Sequence, residues 1–381
     1  MPGLLPGVDP DGLLEYSVVY TDRALNHMSK KFQGVIRDIA GTLKRAYNAR
    51  AAIVMPGSGT FGMEAVARQF ASGKRVMVIR NGWFSYRWTQ IFEMGTIPED
   101  SIVLKAQRVG DDKRAVSQLP FAPPAIAQVV ATIKDKRPAV VFAPHVETAS
   151  GLILPDDYLR AMADAVHSVG GMLVLDCVAS GAIWVDMVAT GVDVIVSAPQ
   201  KGWSGPAGCA LVMLSELARK NIDATTSTSY AADLKKWLQI METYEGGAHM
   251  YHTTMPTDAL ARLRDVMQEA EARGLAMLKT QQQELGARVR KMLASRGFKS
   301  VAAPGFEAPG VVVCYTDDPD LQNGKKFAAQ GLQTAAGVPL QCDEGADFRT
   351  FRIGLFGLDK WANVDRSVKT IEDALDGILK G

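Results

Sequence analysis

Between residues 51 and 214 the chain repeats one pattern, a short and nearly continuous apolar run followed by a stretch of helical periodicity. The apolar runs are Ala51–Met55, Lys74–Ile79, Ala139–Ala143, Met172–Leu175, Val192–Val196 and Cys209–Leu214. The helical stretches are Phe32–Tyr47, Thr60–Ala71, Ser85–Met94, Pro123–Lys134 and Pro155–His167. A strand that is apolar at every position must be covered on both faces. The pattern therefore predicts an α/β fold with a mostly parallel sheet between layers of helices. Ligands of such sheets bind beyond the carboxyl ends of the strands.

The pattern changes after residue 256. Thr257–Arg296 is almost unbroken helical period. It is followed by strand-like Gly310–Tyr315, a helix over Lys325–Ala335, strand-like Phe351–Leu355 and a closing helix over Asn363–Leu379. This reads as a smaller C-terminal α+β domain, with a boundary near residue 270 that divides the chain into 1–270 and 271–381. A length of 381 residues suits one large and one small domain.

Composition excludes several classes. Apolar residues make up 47%, and 42 basic residues balance 41 acidic ones, with no basic stripe for nucleic acid or an anionic membrane. No apolar run approaches the ~18 residues of a membrane span. Cys177, Cys209, Cys314 and Cys342 lie far apart with no CxxC pair. They predict reduced thiols in a cytoplasmic protein and no metal knuckle. The first residues lack the basic and apolar regions of a signal peptide.

Two polar residues stand at the ends of buried-strand patterns. Gly171–Leu175 leads into Asp176, and Val192–Val196 leads through Ser197-Ala-Pro-Gln to Lys201, which opens a glycine-rich loop. A strand-end acid and a strand-end lysine are the pair a pyridoxal-phosphate site needs, one for the pyridinium nitrogen and one for the Schiff base. Taken alone, Lys201 reads first as an ordinary surface lysine after a strand. Gly57-Ser-Gly-Thr-Phe-Gly62 follows a strand and opens a helix, matching the G-x-G-x-x-G dinucleotide fingerprint. That match supports a rival reading, an NADP-dependent oxidoreductase. The next strand, however, ends on Arg80-Asn81 with no acid for a ribose hydroxyl. The Ser58 and Thr60 hydroxyls suit a phosphate monoester, and a helix N-terminus binds phosphate of either cofactor. A tight turn that binds nothing is the third possibility for this loop.

Six further segments occur in order: Asn81-Gly-Trp-Phe-Ser-Tyr-Arg87, Pro144-His-Val-Glu-Thr-Ala-Ser-Gly151, Asp176-Cys-Val-Ala-Ser-Gly181, Ser197-Ala-Pro-Gln-Lys201, Gly246 to Pro256, and Phe351-Arg-Ile-Gly-Leu-Phe-Gly357. Together they resemble the class V aminotransferases of the fold-type I pyridoxal-phosphate enzymes, from about residue 30 to the C-terminus. The branches most resembled are the alanine/serine:glyoxylate and 2-aminoethylphosphonate:pyruvate aminotransferases. The resemblance implies a large domain with a seven-stranded, mostly parallel sheet, pyridoxal 5'-phosphate as cofactor, and a homodimer with shared active sites. Its small-molecule partners would be an amino donor and an oxo-acid acceptor, glyoxylate or pyruvate.

By the same resemblance, Lys201 is the Schiff-base lysine and Asp176 the partner of the pyridine nitrogen. Ser58, Gly59, Thr60 and Gln200 match the phosphate cup. Tyr251 and Thr254 match residues that reach the phosphate from the other subunit. Phe84 matches the aromatic that stacks on the cofactor, with Trp83 as the alternative. Thr148 matches a hydroxyl near the cofactor's phenolic oxygen, Val178 the opposite ring face, and Arg352 the arginine that grips the substrate carboxylate. His145 and His252 sit inside motifs and read first as structural, as do Cys177 and Cys209. The sequence departs from the family pattern over residues 15–29, where Met28 follows His27 in place of a common arginine. Tyr16, Tyr20 and Arg23 are candidates there for an altered side-chain pocket. The alternatives are a 2-aminoethylphosphonate:pyruvate transaminase, the NADP-dependent oxidoreductase, and a non-catalytic relative.

Overall fold

The computed structural model describes residues 7–110 and 116–380. The chain enters through an extended segment and helix α1 (Lys30–Tyr47), which Ser29 caps by accepting from Phe32 N. Then come β1 (Ala51–Pro56), α2 (Gly59–Phe70), β2 (Arg75–Arg80), α3 (Trp83–Gly95) and β3 (Asp100–Lys105). They are followed by α4 (Ile126–Lys136), β4 (Val140–Pro144), α5 (Asp156–Ser168), β5 (Met172–Asp176), β6 (Val194–Ser197) and β7 (Cys209–Leu214). These strands form one seven-stranded sheet in the order β1-β7-β6-β5-β4-β2-β3. Only β7 runs antiparallel to its neighbours. Residues of β4, β5, β6 and β7 are buried throughout, as continuous apolar runs between two helical layers must be.

The seventh strand, β3, was not among the apolar runs. It is an edge strand whose residues are all exposed or half-buried, so its sequence DSIVLK carries little of the buried-strand signal. A helix over Leu234–Glu245 was also unassigned. Asp233 caps it by accepting from Lys235 N and Lys236 N, and Leu234, Trp237, Leu238 and Met241 form its buried stripe.

The region read as Thr257–Arg296 is two helices, Thr257–Arg273 and Leu275–Ser295, broken at Gly274 with φ +89°. The three-stranded sheet that follows pairs Thr350–Gly354 antiparallel with both Val311–Tyr315 and Ala335–Ala336. The helix read over Lys325–Ala335 stops at Ala329. Gly331 turns the chain at φ +79°, and Ala335 then becomes strand opposite Arg352. The last helix, Val364–Lys380, packs on Leu275–Ser295. No described helix is long and apolar enough to cross a membrane.

Candidate active site

The carboxyl ends of β1, β2, β4, β5 and β6 deliver their following residues to one place. A cavity of about 150 Å³ there is lined by Ser58, Gly59 and Thr60 from the start of α2, Phe84 from α3, and Thr148 beyond β4. Asp176, Val178, Gln200 and Lys201 also line it, whereas Tyr251, Thr254 and Arg352 do not. Met63, Arg87, Val146 and Ala179 also line it and were not singled out from sequence. Arg87 was legible in principle, because it lies three residues after Phe84 on one helix face.

The start of α2 leaves donors free. Ser58 is its N-cap, in extended conformation, and its side chain makes no cap hydrogen bond. Gly59 is where the wall is tightest, since a Cβ there would come within 2.5 Å of Val178 Cγ2. Thr60 Oγ1 accepts from Arg87 Nη1 at 2.7 Å, which brings a guanidinium to the helix start.

Asp176 is buried, and Val178 N donates to its Oδ1 at 2.9 Å. Burial raises its pKa to about 6; the Val178 N–H, Lys201 and Arg87 pull down, while Glu147 pushes up. Lys201 moves the other way. Burial lowers its pKa, and the Arg352 and Arg87 charges add to that against Asp176 and Glu147. Its Nζ stands 5.9 Å from the Phe84 ring centroid and 5.7 Å from that of Phe356. Trp83 does not line the cavity; it packs against Tyr86 at 5.8 Å, so Phe84 is the ring that faces the space.

Arg352 lies on the middle strand of the small sheet, and its Nε donates to Ala336 O at 2.7 Å. Its guanidinium carbon is 5.7 Å from the Phe84 centroid. It therefore approaches the same ring as Lys201, from the small sheet. Tyr251 and Thr254 do not line the cavity. They bond to each other at 3.2 Å on the surface, where Tyr251 is 49% exposed.

The N-terminal segment takes a different place from the one its sequence suggested. Tyr16 points outward at 90% exposure. Tyr20 donates to Met255 O at 2.9 Å and packs on His27, which in turn meets Tyr251 at 5.4 Å. None of Tyr16, Tyr20 and Arg23 lines the cavity; the segment instead supports the turn that carries Tyr251. His145 is buried against Ser180 Oγ at 2.6 Å, and burial lowers its pKa to about 3, so it stays neutral. His252 contacts Tyr230 O at 2.9 Å. Cys177 and Cys209 are buried free thiols whose pKa burial raises.

Pyridoxal phosphate can be tested against these residues. Thr148 Oγ1 is buried, lines the cavity and has no partner among the described residues. An orphaned hydroxyl is costly unless something else bonds to it. The free donors at the start of α2 fit a phosphate, the buried acid fits a pyridinium, and the desolvated amine fits an aldehyde. The residues fit the group.

The topology does not suit the dinucleotide alternative. In that fold the strand before the glycine loop is central and flanked by parallel strands. Here β1 is an edge strand whose neighbour runs antiparallel.

No protein-family model matches the chain. It is 24% identical to the protein named soluble hydrogenase, small subunit, of Synechococcus sp. (strain PCC 6716), over 93% of this chain and 87% of that protein. It is 24% identical to alanine–glyoxylate aminotransferase of Mus musculus, over 93% and 82%. It is 27% identical to 2-aminoethylphosphonate–pyruvate transaminase of Paraburkholderia phymatum, over 88% and 84%. The crystal structure of ureidoglycine–glyoxylate aminotransferase from Bacillus subtilis matches the fold with a TM-score of 0.77 at 20% identity, covering 96% of this chain and 88% of that one. Over nearly its whole length the chain is thus similar in sequence to aminotransferases, and it shares the fold of a solved one.

Proposed function

We propose that the protein is a pyridoxal-phosphate-dependent aminotransferase that moves an amino group from a small amino acid or amine to a small 2-oxo acid, glyoxylate or pyruvate. One observation carries the reading: Lys201, Asp176, Thr148 and the start of α2 converge on one cavity from separate strand ends. When bound, the cofactor supplies an aldehyde that condenses with amines and a ring that takes up the electrons freed at the substrate carbon.

The chain's residues supply the rest. Lys201 holds the cofactor and, once substrate displaces it, moves a proton at Nζ. The burial that lowers its pKa makes the neutral, basic form easier to reach. Asp176 holds the proton on the ring nitrogen, and a cation there relieves the burial that raises its own pKa. Phe84 and Val178 bound the ring space from two sides. Ser58, Gly59, Thr60 and Gln200 receive the phosphate, with Arg87 adding charge through Thr60. Arg352 takes the substrate carboxylate with a planar, two-pronged donor. A 2-aminoethylphosphonate donor is the second reading, favoured by the 27% identity to that transaminase.

The homodimer belongs to the proposal. Tyr251 is half exposed, and Phe61, beside the phosphate cup, is 60% exposed. Both suit burial against a second copy, where Tyr251 and Thr254 would reach the partner's phosphate. Four free, buried cysteines support a cytoplasmic setting. A smaller domain over 271–381 is consistent with the separate three-stranded sheet.

The test is a half-reaction. Cofactor-loaded protein mixed with donor amine alone should lose its visible absorbance. Adding glyoxylate or pyruvate should restore it and release the aminated product. Loaded protein that cycles with no amine and oxo-acid pair would remove the aminotransferase reading.

A further inference from the structure

Glu147 lies at the heart of the H-x-E-T segment and has no part in the chemistry above. It belongs to the short ribbon Val146–Glu147, which pairs with Leu152–Ile153, and it is fully buried. A buried carboxylate needs donors for both oxygens. Oε1 accepts from Phe84 N at 3.3 Å and Ala149 N at 3.0 Å. Oε2 accepts from Ser85 N and from Ser85 Oγ, each at 2.8 Å. The Ser85 hydroxyl itself accepts from Asn81 N and Gly82 N, and its single proton is within reach of the carboxylate at 2.8 Å and of Gly82 O at 3.0 Å.

The acceptor for the first turn of α3 thus comes from another segment, and it engages the N–H of Phe84 itself. A carboxylate is favoured at this end of a helix, where the unpaired N–H groups carry partial positive charge. The fit is tight, since a Cβ on Gly82 would come within 2.7 Å of Glu147 Cγ. Three cations gather around the ring this device holds: Arg87 at 5.1 Å, Arg352 at 5.7 Å and Lys201 at 5.9 Å from its centroid. The buried anions facing them are Asp176 on β5 and Glu147.

We propose, resting on the cofactor reading above, that Glu147 is a positioning residue with two separable tasks. Its reach fixes the start of α3 and hence the Phe84 ring, and its charge is the second buried anion that offsets the cations around that ring. The charged groups that bear on Lys201 come from four elements: Asp176 on β5, Arg352 on the small sheet, Glu147 on the ribbon and Arg87 on α3. Glu147 favours the protonated lysine, so removing its charge favours the neutral one.

The two tasks are separated by Glu147→Gln, which keeps the reach and loses the charge, and Glu147→Asp, which keeps the charge and loses the reach. Each variant is reconstituted with pyridoxal phosphate. The visible absorbance is then titrated against pH, and cofactor retention is measured by equilibrium dialysis. The glutamine variant should lower the titration midpoint by about 0.5–1 pH unit. The aspartate variant should keep the midpoint and lose cofactor about tenfold more readily, because the N–H groups of α3 lose their acceptor. An unchanged midpoint in the glutamine variant overturns the charge task, and wild-type retention in the aspartate variant overturns the positioning task. Should either variant not fold, Ser85→Ala keeps the charge while removing the hydroxyl, and wild-type retention in it overturns the positioning task. Wild-type protein that takes up no cofactor overturns the reading of the site and this proposal together.

Discussion

Val178 holds Asp176 by its own backbone, donating N–H to Oδ1 across 2.9 Å, while its side chain presses toward Gly59 on the far wall of the cavity. One turn of chain after β5 therefore fixes both the acid and the wall that faces it.

The wall makes the first prediction. Gly59 needs no unusual backbone angle; what it lacks is room, because a Cβ would lie 2.5 Å from Val178 Cγ2. Gly59→Ala should push Val178 into the cavity and weaken cofactor binding by about 1–3 kcal/mol, as overpacking does. Adding Val178→Ala should recover much of the loss. A double variant as weak as the sum of the two single ones would remove the contact as the cause.

The acid makes the second. The folded protein without cofactor holds Asp176 at a pKa of about 6, above the usual 3.8, so it binds that proton more tightly than the unfolded chain does. Its contribution to stability is fully present below the unfolded pKa and is lost as pH rises through about 6. Asp176→Asn should therefore gain on the wild type as pH rises from about 4 to 7, by up to roughly 3 kcal/mol. Unfolding curves of the two cofactor-free proteins across that range measure the difference. A difference that stays flat with pH would show that the acid is not desolvated.

Arg352 makes the third. It approaches Phe84 from the small sheet, with Nε committed to Ala336 O. Arg352→Ala should cost carboxylate substrates about 2–3 kcal/mol, expressed in KM. A loss confined to kcat would instead make Arg352 part of the proton-transfer apparatus.

The proposed sharing of sites between two copies makes the fourth. Lys201→Ala and Tyr251→Ala homodimers should each lack functional sites, the second through weak cofactor retention. Refolded together in equal amounts, they should form mixed dimers that restore roughly a quarter of the sites, because one site in each mixed dimer keeps both residues. No recovery above the separate variants would place Tyr251 outside the partner's site.

The parallel core was legible because β4, β5 and β6 are covered on both faces and so are apolar at every position. The same logic hid β3, an edge strand without full burial. Asp176 could be singled out because it ends such a run, and Lys201 because it follows one by a short loop. Their meeting with Thr148 and Ser58 depends on strand order, which periodicity does not encode. Arg87 escaped because an arginine one turn into a helix is ordinary until Thr60 is seen 2.7 Å away. Glu147 escaped for a similar reason, since its four donors come from 62 to 63 residues upstream and from its own turn. The N-terminal segment was read toward the pocket, whereas Tyr20 binds Met255 O and braces the Tyr251 turn.

The central claim is that Lys201 is the amine that holds the cofactor. Borohydride reduction of the loaded protein, followed by proteolysis and mass spectrometry, tests it directly. The account predicts a pyridoxyl group on Lys201, loss of the visible band on reduction, and neither in Lys201→Ala. A pyridoxyl group on another lysine, or a band near ~420 nm that persists in Lys201→Ala, would contradict it.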